Sequence, residues 1–249
     1  MSLHPATAAP ALPRTAPDRA GAVVPMRLAV VDMSGTSIVE SGLQDTAFAE
    51  ALAAHGLPRG TAEHDRGVTV FRAHRGTSRS AVFQEVFRDR AVALAATRSF
   101  EDGFDRLLNE HGATALPGAE EALTRLRGMG LDLCLCTGYA RHTQNMILES
   151  LGWMGLADLS LSPDDAGRGV PHPDMILTAL LALDHDDVRS VLTVGDTAAD
   201  IVAGRRAGAG LVVGVRTGQD DEPCLREAGA DHVADSLGDV PDLLGPARG

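Results

Sequence analysis

Three aspartates and one Thr-Gly pair sit where they could do chemistry. Asp32 ends the apolar run from Leu28 and is followed by Met33-Ser34-Gly35-Thr36. Thr137-Gly138 closes a second run, Leu131 to Cys136. Gly195-Asp196 closes a third, Val191 to Val194, and Asp200 lies four residues beyond. Three carboxylates coexist at close range only around a cation, and oxygen ligands of this kind suit Mg²⁺. A Thr hydroxyl and a glycine amide at a helix start form a natural seat for a phosphate group. Each also has a plainer use, since Asp196 or Thr137 can simply cap the helix that follows.

The elements around these residues decide whether they meet. Short apolar runs rich in Val and Leu read as buried strands. Strands are expected at Leu28–Asp32, Leu131–Cys136, Leu159–Leu161, Val191–Val194 and Leu211–Val215, with a terminal strand and helix over His232–Leu244. Helices are expected at Pro117–Arg127, Arg141–Leu151, Pro173–Leu183 and Ala198–Ala207. Strands separated by helices of this length form βαβ units and a parallel sheet. Parallel strands deliver their carboxyl ends to one edge, so Asp32, Thr137 and Asp196 should face one crevice, with Asp200 one helical turn away. The stretch from Ser41 to Gly112 has little strand character. Leu43–His55, Ser80–Thr97 and Phe100–His111 read as helices, which makes this block an all-helical insertion between two strands.

Composition narrows the partners. The chain has 249 residues, 44% hydrophobic and 22% charged, with a formal charge of −12. That charge argues against nucleic acid or an anionic membrane as a partner. All 22 basic residues counted as Lys or Arg are arginines, so lysine chemistry of any kind is excluded. Cys134 and Cys136 alternate on one strand and should share its buried face. Residues 1–25, rich in Ala and Pro, read as a disordered tail rather than a signal peptide. No apolar stretch is long enough for a membrane helix. The expected location is the cytoplasm.

The motifs together resemble the haloacid dehalogenase superfamily of aspartate-nucleophile hydrolases. The resemblance runs through Asp32-Met33-Ser34-Gly35-Thr36, Thr137-Gly138 and Gly195-Asp196-Thr197-Ala198-Ala199-Asp200, over about Arg27 to Leu244. Its detailed wording, with RGTSR in the insertion and PHPDMI later, is most similar to the phosphonatase-like branch, which includes phosphonoacetaldehyde hydrolase. The resemblance implies an α/β fold, a Rossmann-like three-layer core at 26–40 and 113–249, with a helical cap at 41–112. It implies Mg²⁺-dependent hydrolysis of a small phosphorylated metabolite by a monomer or homodimer. Asp32 is then the nucleophile, attacked phosphorus passes to an aspartyl-phosphate, and the metal is held by Asp32, the Ser34 carbonyl, Asp196 and Asp200. Thr137 and Gly138 bind the phosphoryl group, and Arg168, His74 and Arg79 are further substrate-binding candidates.

The chain departs from the family pattern at three points. Ser34 stands where the phosphatases usually carry a second Asp as general acid and base. Arg79 stands where the phosphonatase uses a cap lysine to form an imine, and a guanidinium cannot do that. Val170 stands before Pro171 where a Lys or Arg is expected, leaving Arg168 or His172 as the basic candidate. His74, Arg75 and Arg79 flank Gly76 in the cap, and Tyr139 follows the phosphate-binding pair at the pocket's border. A non-catalytic phospho-ligand-binding relative and a metal-independent dehalogenase stay open as other readings.

Overall fold

Successive residues of the first apolar run point to opposite faces of one sheet, and this alternation builds both cores. In the computed structural model, which describes residues 24–39, 42–74 and 79–244, strand β1 (Leu28–Asp32) sends Ala29 and Val31 one way and Leu28 and Val30 the other. Four helices follow before the next strand: α1 (Leu43–Ala54), α2 (Ala62–Ala73), α3 (Arg79–Val86) and α4 (Arg90–His111). Then α5 (Ala119–Gly128), β2 (Asp132–Cys136), α6 (Arg141–Leu151), β3 (Leu159–Leu161), α7 (Pro163–Ala166) and α8 (Asp174–Ala182) alternate. The chain continues through β4 (Val191–Gly195), α9 (Ala198–Ala207), β5 (Leu211–Val215), α10 (Glu222–Glu227), β6 (His232–Ala234) and α11 (Val240–Leu243).

The six strands form one parallel sheet of order β3-β2-β1-β4-β5-β6. Ala29 and Val31 pack with the apolar residues of α5 and α6, while Leu28 and Val30 pack with those of α8 and α9. This is the three-layer α/β architecture that the alternation of elements implies. The chain steps outward from β1 to β3, then returns to place β4 on the other side of β1. Ligands bind at such a reversal, outside the carboxyl ends of the strands. Register puts Asp32 beside Cys136 and Val31 beside Val194, so Asp32, Thr137 and Asp196 emerge at the same edge.

The insertion differs from expectation in its subdivision. Ser80–Thr97 and Phe100–His111 are not two helices meeting near residue 98. The break falls earlier, where Asp89 in extended conformation accepts from the amides of Ala91 and Val92 and starts α4. From there α4 runs unbroken for 22 residues. Ala93, Ala96, Thr97, Phe100, Phe104, Leu107 and Leu108 form one buried stripe at helical spacing. Helix α2 was not expected, because Gly67 and the β-branched Val68, Thr69 and Val70 weaken its pattern. Thr61 caps it by accepting from the His64 amide, and burial of Phe71 anchors it. Two further short helices, α7 and α10, also escaped the reading.

All six phenylalanines of the chain lie in the insertion. Phe48 stacks on Phe71 at 4.2 Å and on Phe83 at 4.6 Å, and Phe100 on Phe104 at 6.0 Å. The tail expected at 1–25 falls almost wholly outside the described residues, as do Arg75 and Gly76. No helix among the described residues is long and apolar enough to cross a membrane.

Candidate active site

The loop after β1 closes on a single carbonyl. The amides of Thr36, Ser37 and Ile38 reach Met33 O at 3.3, 2.9 and 2.8 Å. Gly35 makes that turn at φ +80°, and a Cβ there would press on Asp196 Oδ2 at 2.5 Å. Glycine is needed both for the conformation and for the close approach. Asp196, 2% exposed, accepts from Thr36 Oγ1 at 3.1 Å and from the Gln219 amide at 2.9 Å. A second glycine, Gly218, lies so near that any Cβ would overlap the Asp196 carboxylate. The loop carrying it is tied to the first by Thr217 Oγ1, which donates to Gly35 O at 2.6 Å.

Asp196 does not cap α9. Thr197 does, donating to Asp200 Oδ2 at 2.6 Å while accepting from the Asp200 amide. The box fixes Asp200 so that it faces the crevice. Ligand oxygens of Asp32, Asp196 and Asp200 all lie within 4.8 Å of one another. Burial, then the charges of Asp200, Asp196 and Cys136, push the Asp32 carboxyl well above its usual range. Burial also raises Asp200, against the opposing hydrogen bonds from Thr197. Three desolvated carboxylates this close are ionised together only if a cation shares their charge. Oxygen donors in this number fit a hard divalent ion such as Mg²⁺.

Thr137 is not a helix cap either. Its Oγ1 accepts from the Tyr139 amide at 3.3 Å, its own amide donates to Leu161 O, and Ala140 holds the N-cap position of α6. Thr137 and Gly138 line one pocket with Asp32, Ser34, Asp196 and Asp200. Arg79 lines it too, brought in by α3. A polar relay crosses from this wall to the sheet. Arg79 Nη2 donates to Gln44 Oε1 at 2.7 Å, Gln44 Nε2 donates to Tyr139 Oη at 2.5 Å, and Ser34 Oγ lies 3.0 Å from the same oxygen. Tyr139 does border the pocket. Gln44, Gly218 and Gln219 were missed, because a lone amide on a helix and a glycine in a loop carry no motif.

Two candidates are not brought to the pocket. Arg168 makes a bidentate pair with Asp174 at 2.7 and 2.9 Å in the first turn of α8, and is not among the lining residues. His74 is exposed, its Nδ1 2.9 Å from Val70 O and its Nε2 3.8 Å from Glu85. Val170 and His172 line the pocket instead. Cys134 and Cys136 are both buried on one strand face, as expected, with sulfurs 3.8 Å apart.

Comparison with known proteins gives the site its family. The family profile described as haloacid dehalogenase-like hydrolase matches residues 26–208. A phosphonoacetaldehyde hydrolase of Nitratidesulfovibrio vulgaris is 28% identical, over 86% of this chain and 88% of its own. One of Bordetella pertussis is 29% identical, over 90% and 93%. A solved hydrolase from Pseudomonas syringae superposes with a TM-score of 0.74 at 25% identity, over 88% of this chain and 98% of its own. The chain belongs to the haloacid dehalogenase-like hydrolases.

Proposed function

We propose that the chain hydrolyses a small phosphate ester through an aspartyl-phosphate on Asp32. The observation that carries this reading is the meeting of three carboxylates within 4.8 Å beside Thr137 and the Gly138 amide. A carboxylate oxygen of Asp32 attacks phosphorus, the bond to the ester oxygen breaks, and the alcohol departs after taking a proton. Water then hydrolyses the acyl phosphate, which releases phosphate and restores Asp32. Thr137 and the Gly138 amide hold the phosphoryl oxygens as charge shifts among them. Asp32, the Ser34 carbonyl and Asp196 would hold Mg²⁺, with Asp200 alongside, and the ion would neutralise the phosphoryl charge. Helices α1–α4 act as the cap over the site.

The relatives named phosphonoacetaldehyde hydrolase favour the same class of chemistry at phosphorus. Imine formation with an aldehyde through a lysine side chain is closed to this chain, since it contains no lysine. The test is hydrolysis of 4-nitrophenyl phosphate with and without chelator, in native protein and in Asp32→Asn. Activity that needs Mg²⁺ and Asp32 supports the reading; activity indifferent to both refutes it.

A further inference from the structure

Past Gly138 and Tyr139 the pocket adjoins a second cavity of about 170 Å³. It lies between α3 and α4 on one side and Gly138–Thr143 with Pro163-Asp164 on the other. The space at the carboxylates measures about 60 Å³, and the two share Arg79, Gly138 and Tyr139. An ester chain leading from the phosphoryl seat toward the insertion therefore meets the larger cavity.

The walls of that cavity are aromatic and acidic. Phe100 and Phe104 come from α4, and Tyr139 stacks on Phe104 at 5.2 Å. Glu101 and Asp164 supply carboxylates, while Arg79 stands where the two spaces join. Asp164 accepts one backbone amide, from Arg141. Glu101 has no hydrogen bond or ion pair among the described residues. Burial, and then Asp105, Asp102 and Asp164, raise its carboxyl above the usual range, with Arg98 opposing. A partly desolvated carboxylate among like charges is stabilised by a cation, and aromatic rings attract ammonium groups. A second carboxylate there would be repelled by Glu101 and Asp164. Arg79 is already engaged, donating to Gln44 and lying 5.1 Å over the Phe71 ring.

We propose that this cavity is the leaving-group subsite, and that it selects a phosphate ester whose alkyl chain ends in an ammonium group. The phosphoryl end lies toward Thr137 and Arg79, and the ammonium end toward Glu101. The proposal rests on the hydrolase reading above. Two consequences make the assignment coherent. The ammonium removes one unit of negative charge from the ester, so a protein of formal charge −12 repels it less at long range than the hydroxy ester. An ammonium substituent also lowers the basicity of the departing alkoxide, which eases its loss where Ser34 replaces a carboxyl acid.

The experiment compares kcat/KM for 2-aminoethyl phosphate and 2-hydroxyethyl phosphate, esters of similar size, in the full chain and in Glu101→Gln. The native protein should favour the amino ester by about tenfold or more, the scale of one charged hydrogen bond with a cation–π contribution. Glu101→Gln should bring the ratio to within about threefold of unity on the same scale. A native ratio near unity, or one that Glu101→Gln leaves unchanged, overturns the subsite. Failure to hydrolyse any ester, 4-nitrophenyl phosphate included, overturns the hydrolase reading instead. Calorimetry with Asp32→Asn then reads the subsite alone. Tighter binding of the amino ester, lost on adding Glu101→Gln, supports it, and equal affinity for the two esters refutes it.

Discussion

The carboxyl edge of the sheet and the helical insertion face one pocket but are built on opposite principles. At the sheet edge the acids are held by backbone and by the short hydroxyls of Thr36 and Thr197. Asp32 is placed by strand register, Asp196 by the Gln219 amide and two glycines too close to carry a Cβ, and Asp200 by a helix cap. The packing behind them is aliphatic. The insertion is held by six phenylalanines, and it meets the site mainly through side chains, along Arg79, Gln44 and Tyr139. Backbone-held groups tolerate little movement, as positioning for chemistry requires. The insertion is nevertheless not packed apart, since its phenylalanines join Val31, Met33 and Leu135 in one apolar cluster. The function proposed above assigns reaction to the edge and selectivity to the insertion.

The largest effect that would break this division lies at Asp32. Asp32→Asn is nearly isosteric and should lower kcat/KM for an aryl phosphate by about 10⁴-fold or more, as loss of a nucleophile does, with an unchanged circular dichroism spectrum. Near-native turnover would remove the sheet edge from the chemistry. Next comes the missing acid. Ser34 lies 3.0 Å from Tyr139 Oη, and neither hydroxyl matches a carboxyl as a proton donor. Rates should fall steeply as leaving-group pKa rises, and Ser34→Asp should recover part of the ~10²–10⁴-fold that general acid catalysis is worth. A flat dependence in the native protein, with chemistry rate-limiting, would mean that another acid already serves.

Phe48→Ala tests the insertion's independence. Phe48 is fully buried between Phe71 and Phe83, so truncation should cost about 3–5 kcal/mol. Hydrogen exchange should localise that loss to α1–α4, while Mg²⁺ still raises Tm. Loss of the Mg²⁺ effect would show the two regions to be one unit. Gly218→Ala is the converse test. Its Cβ must displace Asp196, and Mg²⁺ affinity should fall about 10–100-fold, the usual cost of disturbing a ligand's support. Titration of Tm with Mg²⁺ reads it directly, and an unaltered affinity would exclude Asp196 as a ligand.

The smallest effect is linked to pH. The Asp32 and Asp200 carboxyls are raised in the folded state above the ordinary carboxylate value. The unfolded chain therefore releases those protons first as pH rises. The associated stability is full below about pH 4 and is lost as pH climbs through the raised folded values. Metal-free native protein should lose stability over that interval relative to Asp32→Asn, which has one fewer acid. Saturating Mg²⁺ should cancel the difference. Parallel pH profiles of Tm for the two metal-free proteins would show that Asp32 is not raised.

The order of strands and helices from Pro117 onward, apart from the short α7 and α10, and the convergence of Asp32, Thr137 and Asp196, were legible in the chain alone. Both follow from local pattern joined to one general constraint, that parallel strands end at a common edge. Arg141–Leu151 and Ala198–Ala207 could be read because their caps and apolar spacing are contiguous in sequence. Other features depended on which partner each side chain found, near or far. Whether Arg168 served the site was decided by Asp174, a local competitor that captured its guanidinium. Whether Asp196 capped a helix was decided by Thr197 and Asp200 taking that task. Tyr139 meets Gln44 across 95 positions and Phe104 across the cap boundary, and Gly218 meets Asp196 across a loop. The acidic, aromatic cavity exists only where α4 packs beside Gly138–Thr143. Local backbone preference and periodicity act over a few residues and are written in order along the chain. Side-chain pairing and cavity shape arise between segments far apart, and only the assembled structure brings them together.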